Sequence, residues 1–108
     1  VAKKKKETNI SEIKSLKISV RVLNEKDIEE RKLSKQTTGL VITNIQNDSP
    51  INYLKVNNII IEAQKKKIRS INGLEKIIQS VLKSSEKTLL ISIYNNQNQR
   101  RYIGVKLD

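Results

Sequence analysis

Ten serines are spread along this chain of 108 residues, yet none sits in a G-x-S-x-G turn and there is no His to serve one as a base. The chain also lacks Cys, which removes disulfides, thiolate metal ligands and a Cys nucleophile. The carboxylates Glu29, Glu30, Glu62, Glu75 and Glu86 stand on polar stretches and read as solvated rather than as an acid/base pair. The three glycines, at 39, 73 and 104, form no phosphate-binding loop, and no acidic loop with calcium-ligand spacing occurs. A Ser-Lys pair is the one nucleophilic arrangement that 17 Lys leave open, and chance proximity accounts for it. The sequence offers no enzyme site, no cofactor and no metal centre.

Binding chemistry is the alternative. Lys and Arg number 22 against 11 Asp and Glu, a net charge of +11. The basic clusters are Lys3 to Lys6, Lys65 to Lys67 and Arg100-Arg101, each at a tail or turn. Nucleic-acid recognition needs clustered charge and stacking rings, and Tyr53, Tyr94 and Tyr102 are few for that purpose. Lys and Ile each occur 17 times and Asn 11 times, so the basicity reads mainly as compositional bias. A basic nucleic-acid-binding domain is the runner-up reading.

The elements that position these residues follow from periodicity. Residues 1–13 are rich in like charge and read as a flexible basic linker, with the folded domain over 14–108. The chain opens on Val1 rather than Met and is read as a piece of a longer protein. Leu16, Ile18, Val20 and Val22 alternate with Lys17, Ser19 and Arg21, a strand with one apolar face. A short helix over 24–33, a strand over 40–45 and a turn with a short helix at Pro50 follow. Another strand spans 56–63, and Lys65 to Lys67 make an exposed turn. Leu74, Ile78, Val81 and Leu82 predict an amphipathic helix over 73–83, capped by Asn72 with Glu75 completing a capping box. Strands over 88–94 and 101–107 form a hairpin. The sum is an α+β domain, a partly open β-barrel of about five strands with a groove helix and one or two short helices. No run of apolar residues is long enough to span a membrane.

If the strand of residues 16–23 lies at a sheet edge beside the helix, its free backbone groups could accept an extended peptide. By pattern alone the same strand reads more readily as core, its apolar face filled by the helix. The order of motifs favours the groove. Leu16-Lys17-Ile18, then Gly39-Leu40-Val41-Ile42, Ser49-Pro50, Tyr53 to Ile60, Gln64 and the helix from Gly73 to Leu82 together resemble a PDZ domain of the bacterial HtrA/Do serine proteases, most like the second, C-terminal one. The chain departs from that pattern at Tyr53 and Asn57 for two turn glycines, at Asn58 for an aspartate, and at Lys17 for a glycine in the carboxylate-binding loop.

The resemblance implies a non-catalytic peptide-binding module of a periplasmic or envelope endopeptidase. A protease domain and a first PDZ domain would lie upstream. Its partners would be unfolded or C-terminal segments of substrate proteins, those domains, and other copies in an oligomer, with no specific nucleic acid. The peptide-binding set would be Leu16, Lys17, Ile18, Ser19, Val20 and Arg21 on the strand with Gly73, Ile77 and Ser80 on the helix. Leu16, Ile18 and Ile77 would line the apolar pocket.

Overall fold

The computed structural model describes residues 10–85 and 87–107. Residues 1–9, which carry the Lys3 to Lys6 cluster, lie outside them. Seven strands and two helices follow in the order β1 (Ile10–Ile13), β2 (Ile18–Val22), α1 (Glu25–Arg31), β3 (Leu40–Ile45), β4 (Ile59–Ala63), β5 (Lys66–Lys67), α2 (Ile71–Lys83), β6 (Thr88–Tyr94) and β7 (Arg100–Lys106). The strands form one antiparallel open sheet in the order β1-β2-β3-β4-β6-β7, with β5 paired to β4 off that path. This is the α+β fold expected, with two more strands.

Period-2 alternation divides the core between the two faces of the sheet. Leu40, Ile42 and Ile60 join Ile18, Val20, Leu74, Ile78, Val81 and Ile91 in the main core under α2. Val41, Ile59 and Ile61 point the other way and form a smaller cluster with Leu23, against which Ile28 and Leu33 pack. β4 thus buries both faces, as its unbroken Ile59-Ile60-Ile61 requires. Burying each of Leu74, Ile78 and Val81 contributes about 1.5–3 kcal/mol as an upper figure.

The caps differ from the sequence reading at one helix. α1 begins as expected at Asn24, whose side chain accepts from the Asp27 N–H while Asp27 accepts from the Asn24 N–H. α2 begins two residues earlier than expected: Ser70, not Asn72, is the cap, and its hydroxyl accepts from the Gly73 N–H at 3.0 Å. The helix expected at Pro50 is instead a series of turns, with the N–H groups of Ser49, Asn52 and Leu54 bonded to carbonyls three residues back.

The expected linker also needs correction. Its last four residues are β1, paired antiparallel to β2 from Ile10↔Arg21 to Ile13↔Ile18, so the folded unit begins no later than Ile10. The exposed turn expected at Lys65 to Lys67 sits one residue earlier. Gln64 and Lys65 form a two-residue loop, both with positive φ (54° and 66°), and Lys66–Lys67 are already strand. That φ pair is what a type I′ turn requires.

Candidate functional site

The turn from β1 into β2 is built by backbone bonds. The Leu16 N–H donates to the Ile13 carbonyl at 3.1 Å and the Lys17 N–H to the Lys14 carbonyl at 3.3 Å. Lys17 then takes φ 53°, the left-handed region, at the position where the resembled family has glycine. The turn's own carbonyls are tied down from the far side. Gln46 N–H donates to the Lys17 carbonyl at 3.0 Å, and the buried Ser49 hydroxyl donates to the Leu16 carbonyl at 2.6 Å. Ser49 is therefore a brace for this turn. The Lys17 ammonium lies 2.9 Å from Asp48 Oδ2 and holds that exposed carboxyl below its usual range.

The strand expected to present a free edge has none. β2 pairs with β1 on one side and with β3 on the other, with a bulge where Val20 opposes Ile42 and Ser19 opposes Asn44. Leu16, Ile18 and Val20 are fully buried in the main core rather than lining an open pocket. Their apolar face meets the sheet's helix layer. Ser19 is opposed by Glu12. Arg21 turns to α1, where its guanidinium grips Asp27 through two bonds of 2.7 and 2.8 Å. That fork, together with the Asn24 N–H, holds the Asp27 carboxyl below the usual carboxylate range despite partial burial, and raises Arg21.

A groove of about 700 Å³ runs between β1 and α2. Ile13 and Ile78 supply its apolar surface, and Glu12, Glu75, Gln79 and Lys83 its polar walls. Of the helix residues expected to face it, Ser80 does. Gly73 sits in the first turn against the Ser70 hydroxyl. Ile77 borders a different hollow, of about 350 Å³, beside Gln64 and Lys66. The groove flank of α2 lies two residues on from Gly73 and Ile77, through Glu75, Gln79 and Lys83 at i, i+4 and i+8.

Two arginine arrangements escaped the sequence reading because the groups that Arg31 and Arg100 bond to lie far from them along the chain. Arg31 donates to the carbonyls of Asn57 and Asn95 (2.6 Å for the latter) and to Asn98 Oδ1 at 3.0 Å, fastening α1 to the β6–β7 loop. Arg100 pairs with Glu62 at 3.0 Å and lies 5.5 Å from the Tyr102 ring centre. Asn57 has φ 80°, the left-handed conformation that its place at a lost turn glycine called for. Asn58, where the family has aspartate, is buried; its Oδ1 accepts from the Lys55 N–H at 3.2 Å and its Nδ2 donates to Asn96 Oδ1 at 3.3 Å. Among the described residues, no helix is long and apolar enough to cross a membrane.

No family model and no curated protein matches this sequence. A solved structure described as "HtrA-type protease AlgW with decapeptide" superposes with a TM-score of 0.60 at 19% identity, covering 85% of this chain and 28% of that one. The fold is thus like that of a part of an HtrA-type protease, and this chain spans little more than a quarter of that protein's length.

Proposed function

We propose that this chain is a PDZ-type module of an HtrA/Do-like serine endopeptidase, non-catalytic in itself, that binds extended peptide segments by strand addition. The observation that carries this reading is the seating of β1. A four-residue extended segment lies antiparallel along β2 next to the turn at Leu16-Lys17, with Ile13 entering the core. The edge of β2 therefore has the backbone register and the apolar socket that an added strand needs. The likeness to a structure described with a decapeptide supports a peptide as the ligand class.

Peptide binding here would use the β2 backbone of Ile18 to Val22, the turn amides of Leu16 and Lys17, and the α2 flank at Gln79 and Ser80. The triad chemistry of a serine endopeptidase would come from another part of the parent protein, since this chain has no His. A periplasmic or envelope location, an upstream protease domain and first PDZ domain, and assembly into oligomers belong to the same proposal. They rest on the ordered motifs together with the fold.

Chemical-shift mapping with peptides ending in a hydrophobic residue tests it. Perturbations are expected at residues 13–21 and along 75–83. Their absence from both segments at millimolar peptide would overturn the reading.

A further inference from the structure

We infer that residues Ile10–Ile13 are a built-in ligand of the β2 edge, which an incoming peptide must displace. The inference rests on the strand-addition reading above and gives it a regulator and a ligand class. β2 is an interior strand only because β1 pairs with it. The two turn amides best placed to receive the end of a peptide, those of Leu16 and Lys17, are spent on the Ile13 and Lys14 carbonyls. The chain has thus folded its own upstream segment into the place where a separate strand would lie.

β1 is held lightly for a strand of the sheet. Of its four residues only Ile13 is buried, at 1% exposure, while Ile10 is 50% exposed. β2 is its one extensive neighbour. Among the described residues its side-chain tie is a single exposed hydrogen bond, from Gln46 Nε2 to Glu12 Oε2 at 2.7 Å. The groove of about 700 Å³ separates it from α2, so β1 can leave without moving the helix. Elements with few buried apolar contacts open locally well before the rest of a domain unfolds. The ligand that replaces β1 would be an extended segment antiparallel to β2. It would carry a β-branched aliphatic residue where Ile13 now sits, beside Ile18.

The absence of Cys makes a clean test possible. In the full chain, Glu12→Cys with Ser19→Cys places two thiols on directly opposed residues of β1 and β2, within the span that a disulfide bridges. The probe is a fluorescent peptide copying residues 8–14 (TNISEIK), followed by anisotropy. The reduced form is expected to bind and the oxidised form, with β1 clamped, to show no binding. Ile13→Ala weakens the resident strand and should tighten the peptide at least about tenfold, since occupancy of the site by β1 divides the apparent affinity. Amide exchange of Ser11 to Ile13 is expected to be faster than that of β3, β4 and β6 in the unmodified chain.

Equal binding by oxidised and reduced forms would mean that the peptide adds outside β1. That overturns the inference while leaving strand addition standing. Exchange of the β1 amides only by global unfolding overturns it as well, whatever the peptide does. Failure of every form to bind this probe overturns the inference. Should the hydrophobic C-terminal peptides fail also, the functional reading falls with it.

Discussion

The Ser49 hydroxyl donates a 2.6 Å hydrogen bond to the Leu16 carbonyl and accepts from the Ile51 N–H at 3.1 Å, joining two turns 33 residues apart in the chain. Ser49 is buried, so removing the hydroxyl leaves a carbonyl and an amide without their partner. Ser49→Ala should lower stability by about 1–3 kcal/mol. The urea midpoint should fall with the m-value unchanged. Amides of Leu16 to Ile18 should exchange faster. A midpoint equal to that of the parent would show that the brace does not hold the turn.

Gly39 illustrates a steric demand without a conformational one. It has no positive φ, but a Cβ there would lie 2.6 Å from the Ile60 carbonyl oxygen and 2.8 Å from Ile59 Cγ2. The next residue, Leu40, pairs with Ile60 at the centre of the sheet. Gly39→Ala must push β3 from β4 and should cost about 1–3 kcal/mol, as overpacking does. Thermal unfolding measures it. A melting temperature unchanged from the parent would sink the argument from close approach.

How far the sequence could be read depended on where each element draws its stability. The core stripe Leu74, Ile78, Val81 lies where 3.6-residue periodicity puts it, because α2 buries a continuous face of its own. β1 reads with the linker because Ile10-Ser11-Glu12-Ile13 has too short an alternation to stand out beside the lysines. Its strand state comes from pairing with β2, not from its own propensity. The groove flank lies two residues on from Ile77 for a related reason. Ile77 looks like a pocket residue by type, yet the sheet approaches α2 from the side of Ile78, and Gln79, a polar residue, ends up against the groove. Lys17 stood out in the sequence as a departure, but its pairing with Asp48 depends on a turn contact 31 residues away.

Lys65 holds φ 66° at the second position of the β4–β5 loop, where glycine is favoured. An L side chain in that region costs roughly 1–2 kcal/mol, and glycine's greater freedom in the unfolded chain returns about 0.5–1 kcal/mol of that. Lys65→Gly should therefore stabilise the domain by about 0.5–1 kcal/mol, a rise of several degrees in melting temperature. Lys66→Gly, one residue on in β5, should do the opposite. If the two substitutions moved the melting temperature in the same direction, the turn assignment would be wrong.

Arg21 and Asp27 make the stability of the α1 face depend on acid. Asp27 accepts both guanidinium bonds and the Asn24 N–H, and its pKa in the folded state is lowered. Folding therefore favours the ionised form. The stabilisation is fully present above the unfolded value of about 3.9 and is lost as pH falls through the lower folded value. Asp27→Asn keeps a side-chain oxygen for the cap but removes the charge. It should lower stability at neutral pH by about 1.5–3 kcal/mol, the range for hydrogen bonds to a charged group. The deficit should shrink as the pH is brought below about 4, where the parent loses the same interaction. Urea midpoints of parent and variant across that acid range measure this directly. Parallel curves, with a deficit that does not narrow on acidification, would show that the Asp27 charge contributes nothing to holding α1 on the sheet.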